Sequence, residues 1–366
     1  MTERADFLVI GGGIAGIGAA ARLAPHASVA VLETEDAIGR HSTGRSAAIY
    51  IRNYGNRTLR ALNAASEPVL KEPEGISGQS LLSPRGEMLI ATEAELPDLN
   101  AYLEGASGLE ELSAKEAVAL FPILREDLIA AAAIERAAQD IDVDRLLQGF
   151  ARLLRHSAGR IVTDAPVTAI SRVGGLWHLA TPKGEFEAPV VVNAAGAWAD
   201  EVARLAGVAT VGLVPMRRSA AILPAPEGHD VSAWPLVASA SESWYAKPEA
   251  GKLMVSPADE DPVDPHDAWA DDMVLAEGLY RFEQAVTMPV TRVERSWAGL
   301  RSFVADRTPV AGFAPDAEGF FWLAGQGGYG VQTAPALSQL TADLCLGRAP
   351  SLDPQTVAAL DPKRLF

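Results

Sequence analysis

Cysteine is almost absent from this chain: of 366 residues only Cys345 is one. A single thiol excludes an intrachain disulfide framework. It predicts a reducing, cytoplasmic compartment, with Cys345 as a small core residue of a C-terminal helix. Basic residues are short as well, 31 Lys and Arg against 47 Asp and Glu, for a net charge of −16. Without an excess of cations to neutralise phosphates, a nucleic-acid partner is excluded. No apolar run reaches the ~18 residues of a membrane span. The start, MTERADFLVIGGG, has acids where a signal peptide carries its basic region, so neither a leader nor a transmembrane segment is expected. No metal is expected either. The length allows two packed domains, each with its own core.

What is present is organised around residues 7–33, FLVIGGGIAGIGAAARLAPHASVAVLE. Phe7 to Ile10 reads as a buried parallel strand, Ala15 to Leu23 as a helix that breaks at Pro25, and Val29 to Leu32 as a second strand ending on Glu33. Between strand and helix, Gly11 permits the tight turn, Gly13 lets backbone amides approach a pyrophosphate, and Gly16 lets the helix pack close to the strand. The helix N-terminus then presents free N–H groups and the positive end of its dipole to a diphosphate. Glu33 is placed to accept hydrogen bonds from an adenosine ribose. Together these features predict a dinucleotide site.

Farther along, helical patterns run from about Arg57 to Leu70, Glu95 to Leu103 and Ala114 to Leu120. A Pro/Gly-rich stretch before Glu87 marks entry into a second domain. From Asp140 the chain resembles the nucleotide domain again, with a buried strand Val190 to Asn193. Leu213 to Leu223 and Ser243 to Val255 read as strands of a substrate-binding sheet, and Phe320 to Ala324 precedes a second glycine loop, Gly325 to Gly330. The chain thus enters the nucleotide domain three times. The expected division is 1–75, 140–205 and 302–366 for that domain, against 76–139 and 206–301 for the substrate domain. The acid-rich run Ser256 to Leu275 lacks Lys and Arg. It reads as a solvated loop, with an electrostatic lure for cations as the alternative.

The N-terminal fingerprint, VVNAAGAW in the middle, and WAGLRSF followed by AGQGGYG near the end make the chain resemble the FAD-dependent amino-acid oxidase and dehydrogenase (DAO) family over nearly its whole length. HSTGRSAA, LLSPRGEM, RRSA and GGYGVQT make it most similar to the D-arginine dehydrogenase branch. The resemblance implies an α/β fold, with a Rossmann-like FAD-binding domain and a second, mixed-sheet α+β substrate domain. It implies FAD, held non-covalently although His41 lies in a segment where some relatives attach the flavin. Ile14, Ala15 and Thr34 would join the fingerprint in holding it. Ser42, Thr43, Arg45, Ser46 and Ala47, Gly196, and the late segment Gly327, Gly328, Tyr329, Gly330 and Gln332 would complete the cradle, with the backbone of Val167 against the adenine.

Flavin oxidation of an α-amino acid needs an anchored carboxylate, and arginine supplies a planar fork for it. Arg217 and Arg218 are adjacent in a strand and face opposite ways; alternation does not choose between them, and the family match selects Arg218, with Arg301 as its companion. The resemblance places the hydroxyls of Tyr54 and Tyr245 on the same carboxylate and the Gly328 carbonyl on the amine. It makes Glu87 the partner of a cationic side chain. Ile49 stands where the D-arginine dehydrogenase pattern has histidine, which predicts a shift toward longer or more apolar side chains. Residues 49–55 read as a mobile lid hinged at Gly55. Met254 falls where oxidase relatives have an oxygen-activating lysine, which favours a dehydrogenase passing electrons to a quinone or another acceptor. The expected reaction is oxidation of a D-amino acid, preferably cationic, to an imino acid. The alternatives are a glycine or secondary-amine oxidase using O2, a 2-hydroxy-acid dehydrogenase, and a non-catalytic flavin-binding subunit.

Overall fold

The computed structural model describes residues 2–366. A six-stranded sheet runs Arg160–Val162, Val29–Leu32, Phe7–Ile10, Val190–Asn193, Phe320–Ala324, Val310–Phe313, parallel throughout except for the last strand. Buried on both faces, its central strands are continuous apolar runs rather than alternating ones. Helix Ile14–Leu23 packs against Gly330–Cys345 and Val143–His156 on one side. A four-stranded sheet, Thr2–Arg4, Gly184–Ala188, Leu176–Thr181 and Ala169–Val173, covers the other, with Trp177 and Phe186 in one cluster with Leu8 and Ile10.

A nine-stranded mixed sheet forms the second layer system. Its strands include Val214–Leu223, Lys252–Ser256, Tyr245–Glu249, Leu236–Ser239, Glu87–Ala91 and Ala131–Glu135, and Arg295–Phe303 pairs with Val214–Leu223. Helix Asp272–Ala285 buries Leu275, Leu279 and Phe282 in the same cluster as Leu253 and Val255. The architecture is the α/β arrangement expected, with a mixed sheet beside a Rossmann-like one.

Register decides what reaches the space between the two sheets. Arg301 lies opposite Met216 in the antiparallel pair, and Arg218 lies opposite Gly299. Met216 and Arg218 are two residues apart on one strand, so Arg218 and Arg301 occupy the same face as diagonal neighbours. Arg217 is sent to the opposite face, where it pairs with Asp261.

The acid-rich run is not a loose solvated loop. Asp259 accepts from the Ser219 N–H at 2.6 Å and from its hydroxyl at 2.8 Å. Asp261 takes Arg217, Glu260 takes Arg218, and Asp267 takes Arg45. Asp271 caps the following helix. With so much of its charge paired, the run makes a poor lure for cations; it is a strap latched to the substrate sheet.

Candidate active site

A long cavity of about 650 Å³ begins at the first glycine turn and ends at the last one. Gly11 sits at φ 110°, and a Cβ there would lie 2.4 Å from the Ala194 carbonyl oxygen; one at Gly16 would lie 2.0 Å from the Gly11 carbonyl oxygen. Glycine is therefore required at both for the helix to start so close to the strands. The Ile14 amide is capped by the Thr43 hydroxyl at 3.0 Å. The amides of Gly13, Ala15 and Gly16 find no partner among the described residues, which leaves donors free at the helix N-terminus, as a diphosphate requires.

Glu33 is buried at the cavity wall, where its carboxylate accepts the amides of Gly12 and Glu35 and stays fixed in orientation. Thr34, Ala47, Val167, Gly196, Gly327, Gly328 and Gly330 also line this cavity. Gln326, which sequence reasoning missed, lines it too, and its buried Nε2 has no partner among the described residues. Its position inside the late glycine loop was the available signal. These free amides and the orphaned donor fit a dinucleotide.

Other expected cofactor residues build the wall instead. Ser42 donates to the Leu300 carbonyl at 2.7 Å, Ser46 accepts from the Ala48 amide, and Arg45 donates to the Ala268 and Ala298 carbonyls at 2.7 and 3.0 Å. All three line the cavity, but these polar groups already have protein partners. His41 bonds to Glu35 at 2.9 Å and packs against Trp198 with the rings tilted by 52°.

Two of the expected residues have side chains turned away from the long cavity. Tyr329 lines neither cavity; it is buried against Tyr54, ring centroids 4.7 Å apart. The Gln332 amide does not face the long cavity, because its Oε1 accepts from the Ile51 N–H at 3.0 Å and its Nε2 donates to Asn63 Oδ1 at 2.9 Å.

A smaller cavity of about 100 Å³ adjoins the first. Ser46, Ala47, Arg218, Tyr245, Arg301, Gly328 and Val331 line both, so they mark the junction. The two arginines there differ. Arg218 is buried and donates to Glu260 at 2.9 Å, with its Nε unpartnered. Arg301 is half-buried, lies against Gly328, and has no ion-pair partner within 4.0 Å among the described residues. Tyr54 and Tyr245 stand in its field. Burial pushes the Tyr54 hydroxyl above the usual phenol range, with Arg301 opposing, so Tyr54 is a neutral donor.

The far end of the small cavity holds Glu87, beside Ile49, Leu89, Leu236 and Trp244. It lies directly across the strand pair from buried Glu135 and accepts from the Tyr102 hydroxyl at 3.1 Å. Burial first, and then the Glu135 charge, push the Glu87 carboxyl up to about 8 against the Tyr102 hydrogen bond. Tyr102 arrives from helix Leu96–Leu103, and nothing local in the sequence announces it.

The segment carrying Tyr54 is pinned rather than free to act as a lid. Asn63 Nδ2 donates to the carbonyls of Ile51, Arg52 and Tyr54. Glu135 accepts the amides of Arg52 and Asn53 and the Asn53 side chain.

Among known proteins, the chain is 26% identical over 404 residues to the FAD-dependent oxidoreductase domain-containing protein 1 of Bos taurus, covering 94% of this chain and 82% of that one. It is 24% identical to the glycine oxidase of Bacillus licheniformis, covering 95% and 94%. The crystal structure of glycine oxidase from Geobacillus kaustophilus superposes with a TM-score of 0.85 at 24% identity over 99% of both chains. The family model for the FAD dependent oxidoreductases (DAO) matches residues 6–344. With that match over a glycine cradle whose free donors suit a dinucleotide, the chain belongs to the DAO family of FAD-dependent oxidoreductases, and its cofactor is FAD.

Proposed function

We propose that the protein is a dehydrogenase of α-amino acids, with a D-amino acid bearing a cationic side chain as its preferred substrate and FAD held non-covalently. The observation that carries this reading is Arg301, a half-buried guanidinium without an ion-pair partner among the described residues where the two cavities meet. A carboxylate supplies what that fork lacks. The hydroxyls of Tyr54 and Tyr245 have no hydrogen-bond partner among the described residues and lie within the field of Arg301, where they could donate to the same anion. The Gly328 carbonyl, against Arg301, is placed to accept from the amine. When bound, FAD supplies the two-electron acceptor for the hydride leaving Cα. The chain's own part is to hold the carboxylate and amine so that Cα–H points one way and water is kept out. The imino acid released then hydrolyses to a 2-oxo acid and ammonia.

Glu87 supports the cationic preference: a buried acid at the end of the side-chain cavity regains its charge when a cation enters beside it. The small volume and apolar walls of that cavity favour a second reading, glycine or a small secondary amine as substrate. Met254 lines the long cavity, whereas Lys247 turns its ammonium to the Ala47 carbonyl and Asp140. That arrangement supports electron transfer to a quinone-like acceptor over reaction with O2.

Anaerobic flavin bleaching tests the reading directly. D-Arg and D-Lys are expected to bleach fast, Glu87→Leu to abolish this while sparing D-Leu, and Arg301→Met to slow every amino acid by about two orders of magnitude, as loss of a charge-assisted pair of ~2–3 kcal/mol predicts. Bleaching by glycine or sarcosine alone, with peroxide released in air, would establish the second reading instead.

A further inference from the structure

The junction holds two guanidiniums on one face of the sheet, and of these Arg301 has no ion-pair partner among the described residues. The other, Arg218, is matched by Glu260. Asp261 opens the short strand Asp261–Pro262, and the contacts of residues 259–261 divide their side chains between Ser219 and Arg217 on one side and Arg218 on the other. Asp259 and Asp261 bond to Ser219 and Arg217, and Glu260, which itself lines neither cavity, bonds to Arg218. Arg307 grips both Glu260 oxygens, at 2.9 and 3.0 Å, while its own guanidinium rests 3.8 Å above the Phe303 ring. Glu260 is thus held from two sides and from both flanking residues.

We propose that Glu260 is a charge selector: by compensating Arg218 it leaves one unpaired guanidinium at the junction, so that the site takes a substrate with one carboxylate and rejects one with two. The proposal rests on the reading of Arg301 as the carboxylate anchor. Arg218 lines both cavities, as Arg301 does, so without Glu260 a second anion arriving there would find a buried fork waiting. With Glu260 in place the second anion meets a satisfied ion pair, and beyond it Glu242 on the small cavity's wall. Arg307 does not restore the missing charge, because its side chain is 46% exposed and solvent screens it. Glu260 lies within the field of Arg301 but makes no contact with it.

Propionate and malonate test this, since they differ chiefly by a methyl replaced with a carboxylate. Their binding to the holoenzyme is read from the perturbation of the flavin spectrum. Wild type is expected to bind propionate at least tenfold tighter than malonate. Glu260→Gln should cut that discrimination tenfold or more, mainly through tighter malonate. Arg307→Met, which removes the outer grip but leaves Glu260 on Arg218, should keep the wild-type ratio. A Glu260→Gln ratio within threefold of wild type, with propionate still lost in Arg301→Met, overturns the selector and leaves the anchor standing. Equal relaxation in Arg307→Met also overturns it, because loosening of the strap would then explain the change. Propionate binding that is absent, or indifferent to Arg301→Met, overturns the anchor itself.

Discussion

Glu87 carries the same side chain as the many exposed glutamates of this chain, but its surroundings give it a different chemistry. Its ordinary carboxyl value of 4.5 rises to about 8 because burial penalises the charge and Glu135 repels it. Between those two values the folded protein keeps a proton that the unfolded chain has lost, so folding stability falls as pH rises through that window. Glu87→Gln carries no such proton. Relative to wild type its urea midpoint should therefore climb from pH 5 to pH 8.5; a gap that stays constant would count against a neutral buried acid. The surface pair of Arg136 with Glu110, by contrast, is solvent-exposed on both sides and should contribute little at any pH in this range.

Among the elements, the short segment of residues 51–55 depends most on distant partners. Asn63 is fully buried on helix Arg57–Lys71 and bonds to carbonyls of that segment on one side and to Gln332 on the other. Asn63→Ala strands those carbonyls and the Gln332 amide at once. At ~1–3 kcal/mol for each buried group left without a partner, the loss should reach about 2–4 kcal/mol after relaxation. Chemical denaturation measures it. Because Tyr54 rides on the freed segment, KM for the amino acid should rise severalfold in the same variant. Unchanged KM with lowered stability would separate Tyr54 placement from this network. The strand–turn–helix at residues 7–23 behaves differently: its glycines and apolar run specify it locally, and its form was legible in the sequence. The 51–55 segment was not, since its bonds come from residues 63, 135 and 332.

For the whole molecule, three stretches of chain meet in the six-stranded sheet, and all three contribute to the long cavity. A ligand that lies along that cavity ties them together, so FAD should stabilise the native state by mass action. At a hundredfold excess over its dissociation constant the gain is about 2.7 kcal/mol. Stripped protein titrated with FAD should show a rising melting temperature that tracks this logarithm. FMN, which lacks the adenosine expected at Glu33 and Val167, should give a smaller shift at equal concentration; an equal shift would mean that the first glycine turn contributes nothing to binding.

The amino-acid sequence by itself determined the cofactor class and the fold. Gly11, Gly13 and Gly16 act through backbone conformation and close approach within a few residues of one another, and Glu33 closes the same strand–helix–strand unit, so such short-range demands are written in the order of residues. Only the tertiary structure decided which polar groups remain free at the junction. Arg218 and Arg301 look equivalent in the chain; a strand register and a strap of alternating acids pair one and leave the other open. The same holds for Tyr329 and Gln332, which their motif offers to the cofactor and their neighbours claim first. A side chain's availability is what remains after every competing partner in three dimensions has been counted, and those partners lie tens to hundreds of residues away.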